Sequence, residues 1–300
     1  MDNELSSRAM LVSLSISQWA ARKHDKRASR DVAEHYGTRE DVGRYTKALV
    51  ARDSLRAIQT AAGAARTEHY RRTLPWSDDG ARILMAAGFQ EYAATMSGLR
   101  DTFEREVRAF VLAYPDFVRA ARVDLNGLFV ETDYPSTERV EAKFSFSTGV
   151  LPLPDAADFR VDLGDSAVER IRGEIGARMS DTVNAAAADA WRRLYDGVEH
   201  MAERLKAFEA KVPGNREGAF RDSLVENLVE LTSILPSLNI KGDPELDRLS
   251  REVSERLCTE SAQGLRDNPN AARAVRRDAE SILANMAGLM GPDEAGRAAA

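Results

Sequence analysis

Apolar residues recur at steps of three and four over most of the chain. From Phe89 they fall at Tyr92, Met96, Leu99, Phe103, Val107, Phe110, Tyr114 and Phe117, one continuous stripe on a helix. Pro115 is expected to kink that helix, because it removes a backbone donor and crowds the preceding turn. A second stripe runs through Trp191, Leu194, Val198, Met201, Leu205, Phe208 and Val212, in regular alternation of threes and fours. Upstream, Val168, Ile171, Ile175, Met179 and Val183 continue it with mostly four-residue steps, a stutter against a strict heptad repeat. The pattern predicts one helix over 166–212, about 70 Å long at about 1.5 Å per residue. Ser166 and Glu169 have the capping-box spacing for its start, and Pro213 with Gly214 is its stop signal.

Shorter helices are predicted after it. Phe220, Leu224, Leu228, Leu231 and Leu235 form a stripe that Pro236 is expected to stop. Asp243-Pro244 and Asn268-Pro269 each read as an N-cap followed by proline at the first helical position. Near the N-terminus, 38–72 reads as one helix with Val42, Tyr45, Leu49, Leu55 and Ile58 inward and an alanine-rich run at 61–65 for close helix approach. Strand signals are few: Leu11 to Ser17 alternates apolar residues with serine, 143–147 alternates as well, Arg160 to Leu163 is weaker, and Arg82 to Ala86 reads either way. The expectation is a mainly α protein with a small antiparallel sheet, an α+β arrangement of long antiparallel helices or a coiled-coil bundle. Its predicted parts are an α+β region over 1–165, a helical region over 166–290 and a flexible tail over 291–300.

Composition narrows the class. The chain has 300 residues, 43% hydrophobic and 30% charged, which supports a real core and excludes wholesale disorder. One cysteine, Cys258, excludes a disulfide framework and a multi-thiolate zinc site. The longest uncharged stretch, Ala9 to Ala21, is too short to span a bilayer. An acidic start and serines at 13, 15 and 17 argue against a signal peptide. The expected location is the cytoplasm, with no membrane partner.

Familiar chemistry is missing from the sequence. It contains no Walker loop, dinucleotide fingerprint, nucleophile elbow or paired-histidine zinc helix. His24, His35, His69 and His200 lack partners at metal-ligand spacing; His200 and Glu203 share a helix face, but two ligands do not fix a metal. Asp155, Asp158, Asp162 and Asp165 read as turn and capping residues rather than a calcium loop. Cys258 reads as an inert thiol. The expectation is therefore no catalytic residues, no cofactor and no metal.

Charge singles out one segment. Residues 1–75 hold 14 Lys/Arg against 9 Asp/Glu, whereas the remainder holds 28 against 39. Arg22, Lys23, Lys26, Arg27 and Arg30 cluster directly after Trp19. They read either as a solvated face or as a contact for a partner protein or nucleic acid. Strand parity places Leu14 and Ile16 on the buried face and sends Trp19 the other way, toward a partner, unless a turn intervenes.

Leu14, Ile16, Trp19, Arg22, Lys23, Asp25 and Lys26 resemble the opening of a family of phage and prophage proteins known as a domain of unknown function. The resemblance implies phage or prophage origin, hence the host cytoplasm, and a setting near a MoxR-like AAA+ ATPase and a von Willebrand A-type protein. The expected function is that of a non-enzymatic interaction or assembly protein. It would act by self-association or by docking to a partner, with Trp191, Leu194, Val198, Met201, Leu205 and Phe208 as the helix interface. The alternatives are a self-contained bundle that covers this stripe itself, and an accessory single-stranded-DNA-binding protein that uses the basic segment.

Overall fold

A computed structural model of the chain describes residues 2–76, 80–154, 165–210 and 221–290. Of the described residues, 72% are helical, and they include a small antiparallel sheet. In chain order, α1 (Asp2–Arg8) leads into β1 (Ala9–Ser17), β2 (Arg22–His24), α2 (Lys26–Tyr36), β3 (Thr46–Ala48) and α3 (Arg56–Arg72). Then come β4 (Leu74–Pro75), β5 (Arg82–Met85), α4 (Phe89–Leu125), α5 (Thr137–Glu141) and β6 (Ser145–Pro152). Five helices finish the described chain: α6 (Asp165–Glu209), α7 (Ser223–Leu238), α8 (Pro244–Leu257), α9 (Ala262–Asp267) and α10 (Pro269–Met290). The residues form two compact units that interleave along the sequence. One takes 1–12, 72–89 and 151–300; the other takes 13–71 and 90–150. The division expected at residue 165 is not where the chain changes unit, because single strands and helices carry it across.

In the first unit, α6 provides the axis. Leu194, Val198, Met201 and Leu205 are fully buried in a core shared with Leu228 and Leu235 of α7, Leu249 and Val253 of α8, and Ile282 and Met286 of α10. Trp191 and Phe208 pack at its edge. The chain's own shorter helices thus cover this predicted interface stripe, which corrects its reading as a surface for a second chain. Helix α7 runs antiparallel to α6: Gly197 lies against Leu228 and Leu231, while Asn184 accepts a 2.6 Å hydrogen bond from Lys241 beyond the far end of α7. A Cβ at Gly197 would stand 3.1 Å from Leu231, so the absence of a side chain permits this approach.

The predicted caps Asp243 and Asn268 act as expected. Asp243 Oδ1 accepts the Glu245 N–H at 2.9 Å, and its Oδ2 accepts the Trp191 indole N–H at 3.1 Å. Asn268 Oδ1 accepts the N–H groups of Asn270 and Ala271. Helix α7 nevertheless passes its expected stop at Pro236. The helical partner that proline cannot supply to Thr232 O is replaced by the Ser250 hydroxyl, at 3.4 Å. Strand β5 pairs antiparallel with the first half of β1, from Ala9 opposite Met85 to Val12 opposite Arg82, and with β4 on its other side.

The second unit is built on α4. Phe103, Val107, Phe110 and Tyr114 are buried as the stripe predicts, and the helix continues through Pro115. They share a core with Ile58, Ala61 and Ala62 of α3 and with Val50, Leu55 and Val140. Leu14 and Ile16 are half-buried while Ser13, Ser15 and Ser17 are exposed, so the alternation has the expected sense.

Two readings are corrected here. The single helix over 38–72 is confined to α3; upstream lie a loop and β3, and Val42 and Tyr45 point outward. Trp19 does not leave the core face. Strand β1 ends at Ser17, so parity no longer sets the direction of Trp19, and its ring packs edge-on against Tyr114 at 5.7 Å and Phe110 at 6.3 Å. The strand signal at 160–163, Asp155, Asp158, Asp162, the stop at 213–214 and the tail 291–300 lie outside the described residues.

Candidate interaction surface

Residues 22–48 fold as a small β-α-β element: β2, α2 and β3, with β2 and β3 antiparallel from Arg22 opposite Ala48 to His24 opposite Thr46. Its sequence offers little apolar material. Only Ala28 and Ala33 of α2 are buried, so charge has to hold the element in place.

Lys47, 1% exposed at the side chain, does so. Its Nζ donates to Asp25 Oδ2 at 2.8 Å, to Asp133 Oδ2 at 2.8 Å and to Leu128 O at 2.7 Å. Three donors meet three acceptors, the full capacity of an ammonium. Asp25 uses its other oxygen to cap α2 through the Ala28 N–H at 3.0 Å, and Asp133 uses its own to hold Lys23 Nζ at 2.9 Å. The hydrogen bond from Lys47, then that from Ala28, holds the Asp25 carboxyl down at about 2. Burial pushes the Asp133 carboxyl up, but Lys47 and Lys23 outweigh it and hold it below the usual range. Burial likewise opposes the Lys47 charge, and the two carboxylates outweigh it, so its pKa is raised.

A depressed carboxyl stabilises the fold above its unfolded pKa and loses that contribution as pH falls through the folded value. The network is therefore expected to be intact at neutral pH and to weaken from about pH 4 toward pH 2. Melting temperatures measured across that range check this: Asp25→Asn should flatten the acid-side slope, and an unchanged slope would count against the assignment.

The basic cluster is largely engaged within its own unit. Lys23 pairs with Asp133, Arg30 with Glu40 at 3.2 Å, and Arg27 donates to Gly127 O. Arg22 and Lys26 make no ion pair among the described residues, and neither does Arg44. Further along the chain, Arg56 pairs with Asp53.

Helix α2 exposes something the basic residues do not announce. At 100° per residue, Ala28, Ser29, Val32, Ala33 and Tyr36 fall on one side. The first turn of that side is covered, and Ser29 Oγ accepts the Tyr45 N–H at 2.9 Å. Beyond it Ala33 is buried as well, but Val32 is 48% exposed and Tyr36 74%. Tyr45 and Val42 are exposed nearby in sequence. This is an amphipathic helix with half of its apolar face uncovered.

The chain matches no known family model, no curated protein and no solved structure. Its chemistry has to be taken from its own side chains. Among the described residues, no group of three His, Cys, Asp or Glu residues is placed to hold a metal ion. Burial pushes the Cys258 thiol up to about 11, so it is protonated near neutrality and a poor nucleophile. His69 is buried and hydrogen-bonded to the Tyr92 hydroxyl at 2.8 Å. No described helix is long and apolar enough to cross a membrane.

Sequence reasoning missed Lys47, Asp25 and Asp133 as a set, and missed the open face of α2. The face had a readable signal, since Ala28, Val32 and Tyr36 repeat at four residues behind the N-cap Asp25. The charge network had none, because its members lie 22 and 86 positions apart in the chain.

Proposed function

We propose that this chain is a non-enzymatic interaction protein that docks to another protein through the open face of α2. The observation that carries the reading is the exposure of Val32 and Tyr36 on the apolar side of a helix held in place by a buried charge network. A helix face with anchors at i and i+4 is a standard element of helix-in-groove recognition. The similarity of residues 14–26 to the phage and prophage family supports an assembly or adaptor role in that setting, with a second copy or a MoxR-like AAA+ ATPase as the partner to test.

A second reading is single-stranded-DNA binding. It rests on the exposed rings Tyr36 and Tyr45 and on Arg22, Lys26 and Arg44, which make no ion pair among the described residues. The ion pairs of Lys23 and Arg30 take charge away from it.

Tyr36→Ser is expected to leave stability within about 0.5 kcal/mol, as for other surface substitutions. It should also abolish protein docking, measured by light scattering over a concentration series and by titration against the purified ATPase. Fluorescence anisotropy with a labelled oligonucleotide separates the readings. A wild-type chain that binds neither itself nor the ATPase, but binds the oligonucleotide and loses it in Tyr36→Ser, would replace the first reading with the second.

A further inference from the structure

The first unit carries a groove of about 550 Å³ between α7 and α9. Val225, Val229 and Ala262 provide its apolar lining, and Val229 is 44% exposed. Asp222, Glu226 and Glu230 stand along α7 at four-residue steps and make that wall acidic. Arg266, the cation of the opposite wall, is engaged by Asp222 and by Gln263.

This groove and the open face of α2 are complementary in kind. One is an apolar trough with a carboxylate wall. The other is an apolar helix side bordered by Lys26, with Arg44 next to the Tyr45 that abuts Ser29. The units that carry them differ in net charge in the same sense. The unit with α2 has 19 Lys/Arg against 17 Asp/Glu, a net +2, and the unit with the groove has 23 against 31, a net −8.

We propose that the chain associates with itself head to tail, the open face of α2 in one copy seating in the α7–α9 groove of the next. Val32 and Tyr36 enter the trough, and Lys26 faces Glu226. The contact joins two different surfaces, so each copy can accept one neighbour and offer itself to another, giving rings or filaments rather than a symmetric dimer. Opposite charge on the two surfaces raises the encounter rate and makes assembly weaken with salt. The proposal rests on the docking role given to α2 and adds the identity of what it docks to.

Charge reversal tests it in full-length chain. Lys26→Glu alters the helix side at a first-turn position where a carboxylate suits the helix dipole. Glu226→Lys alters the groove side on the exposed face of α7. Light scattering or sedimentation velocity at low salt should give wild-type chain a mass that grows with concentration above 33.1 kDa. Each variant alone should need about tenfold higher concentration, or more, to assemble. An equimolar mixture of the two should recover wild-type assembly, because each then meets a complementary neighbour. Variants that assemble like wild type, or a mixture no better than its components, overturn the proposal. A wild-type chain that stays at 33.1 kDa at every concentration also overturns it. If Tyr36→Ser in that case still abolishes binding to another protein, the docking role of α2 survives without this occupant.

Discussion

Lys47→Met is expected to lower the free energy of unfolding by about 3–5 kcal/mol, the cost of removing one partner from a buried ionic group. Methionine matches the length of lysine but supplies no donor. Asp25 Oδ2 and Asp133 Oδ2, each 2.8 Å from Nζ, would face one another without a cation between them. Asp133 would keep Lys23, whereas Asp25 would keep only its helix-capping bond. Leu128 O would also lose its donor. Urea unfolding followed by circular dichroism measures the loss. Adding Asp25→Asn and Asp133→Asn to Lys47→Met should recover part of it, since the uncompensated charges are then gone. A single variant as stable as wild type would show that the network does not hold the element.

Phe103→Ala is expected to cost about 3–5 kcal/mol through lost transfer energy and a residual cavity. The ring is 1% exposed and lies 5.8 Å from that of Phe146, centroid to centroid. It belongs to the same core as Ile58, Ala62 and Val107. Leu112, on the same helix and 86% exposed, provides the control. Leu112→Ala should change stability by no more than about 0.5 kcal/mol. Parallel urea titrations of the two variants test whether burial, rather than helix propensity, governs α4.

The helices were legible wherever their signals are local. Asp243-Pro244 and Asn268-Pro269 mark the starts of α8 and α10, because a cap and the residues it serves lie within one turn. The stripe from Trp191 to Phe208 identified the buried side of α6, though not what buries it. Periodicity describes one face of one helix and leaves open whether the cover comes from the same chain. The loop and strand before α3 were illegible for a related reason. Val42, Tyr45 and Leu49 are spaced as on a helix, yet the segment is fixed by pairing with residues more than twenty positions earlier and by a lysine drawn into a buried site. Trp19 was misread because β1 ends at Ser17, two residues before it, and with the strand ends the alternation that had set its direction. Pro236 failed to stop α7 because the missing bond is made from α8, by Ser250.

The interleaving of the two units has a consequence for synthesis on the ribosome. All residues of the unit carrying α2 and α4 lie before residue 151, so that unit is complete before α6 and the helices after it are made. The first twelve residues belong to the other unit, whose principal helices begin at Asp165. At about 5–20 residues per second, those twelve residues wait several seconds or more for their partners to be translated. Ala9, Leu11 and Val12 are apolar, and over that interval their partners within reach are β5 and its neighbours. The nascent chain thus completes the unit of 13–71 and 90–150 before the unit whose segments flank it.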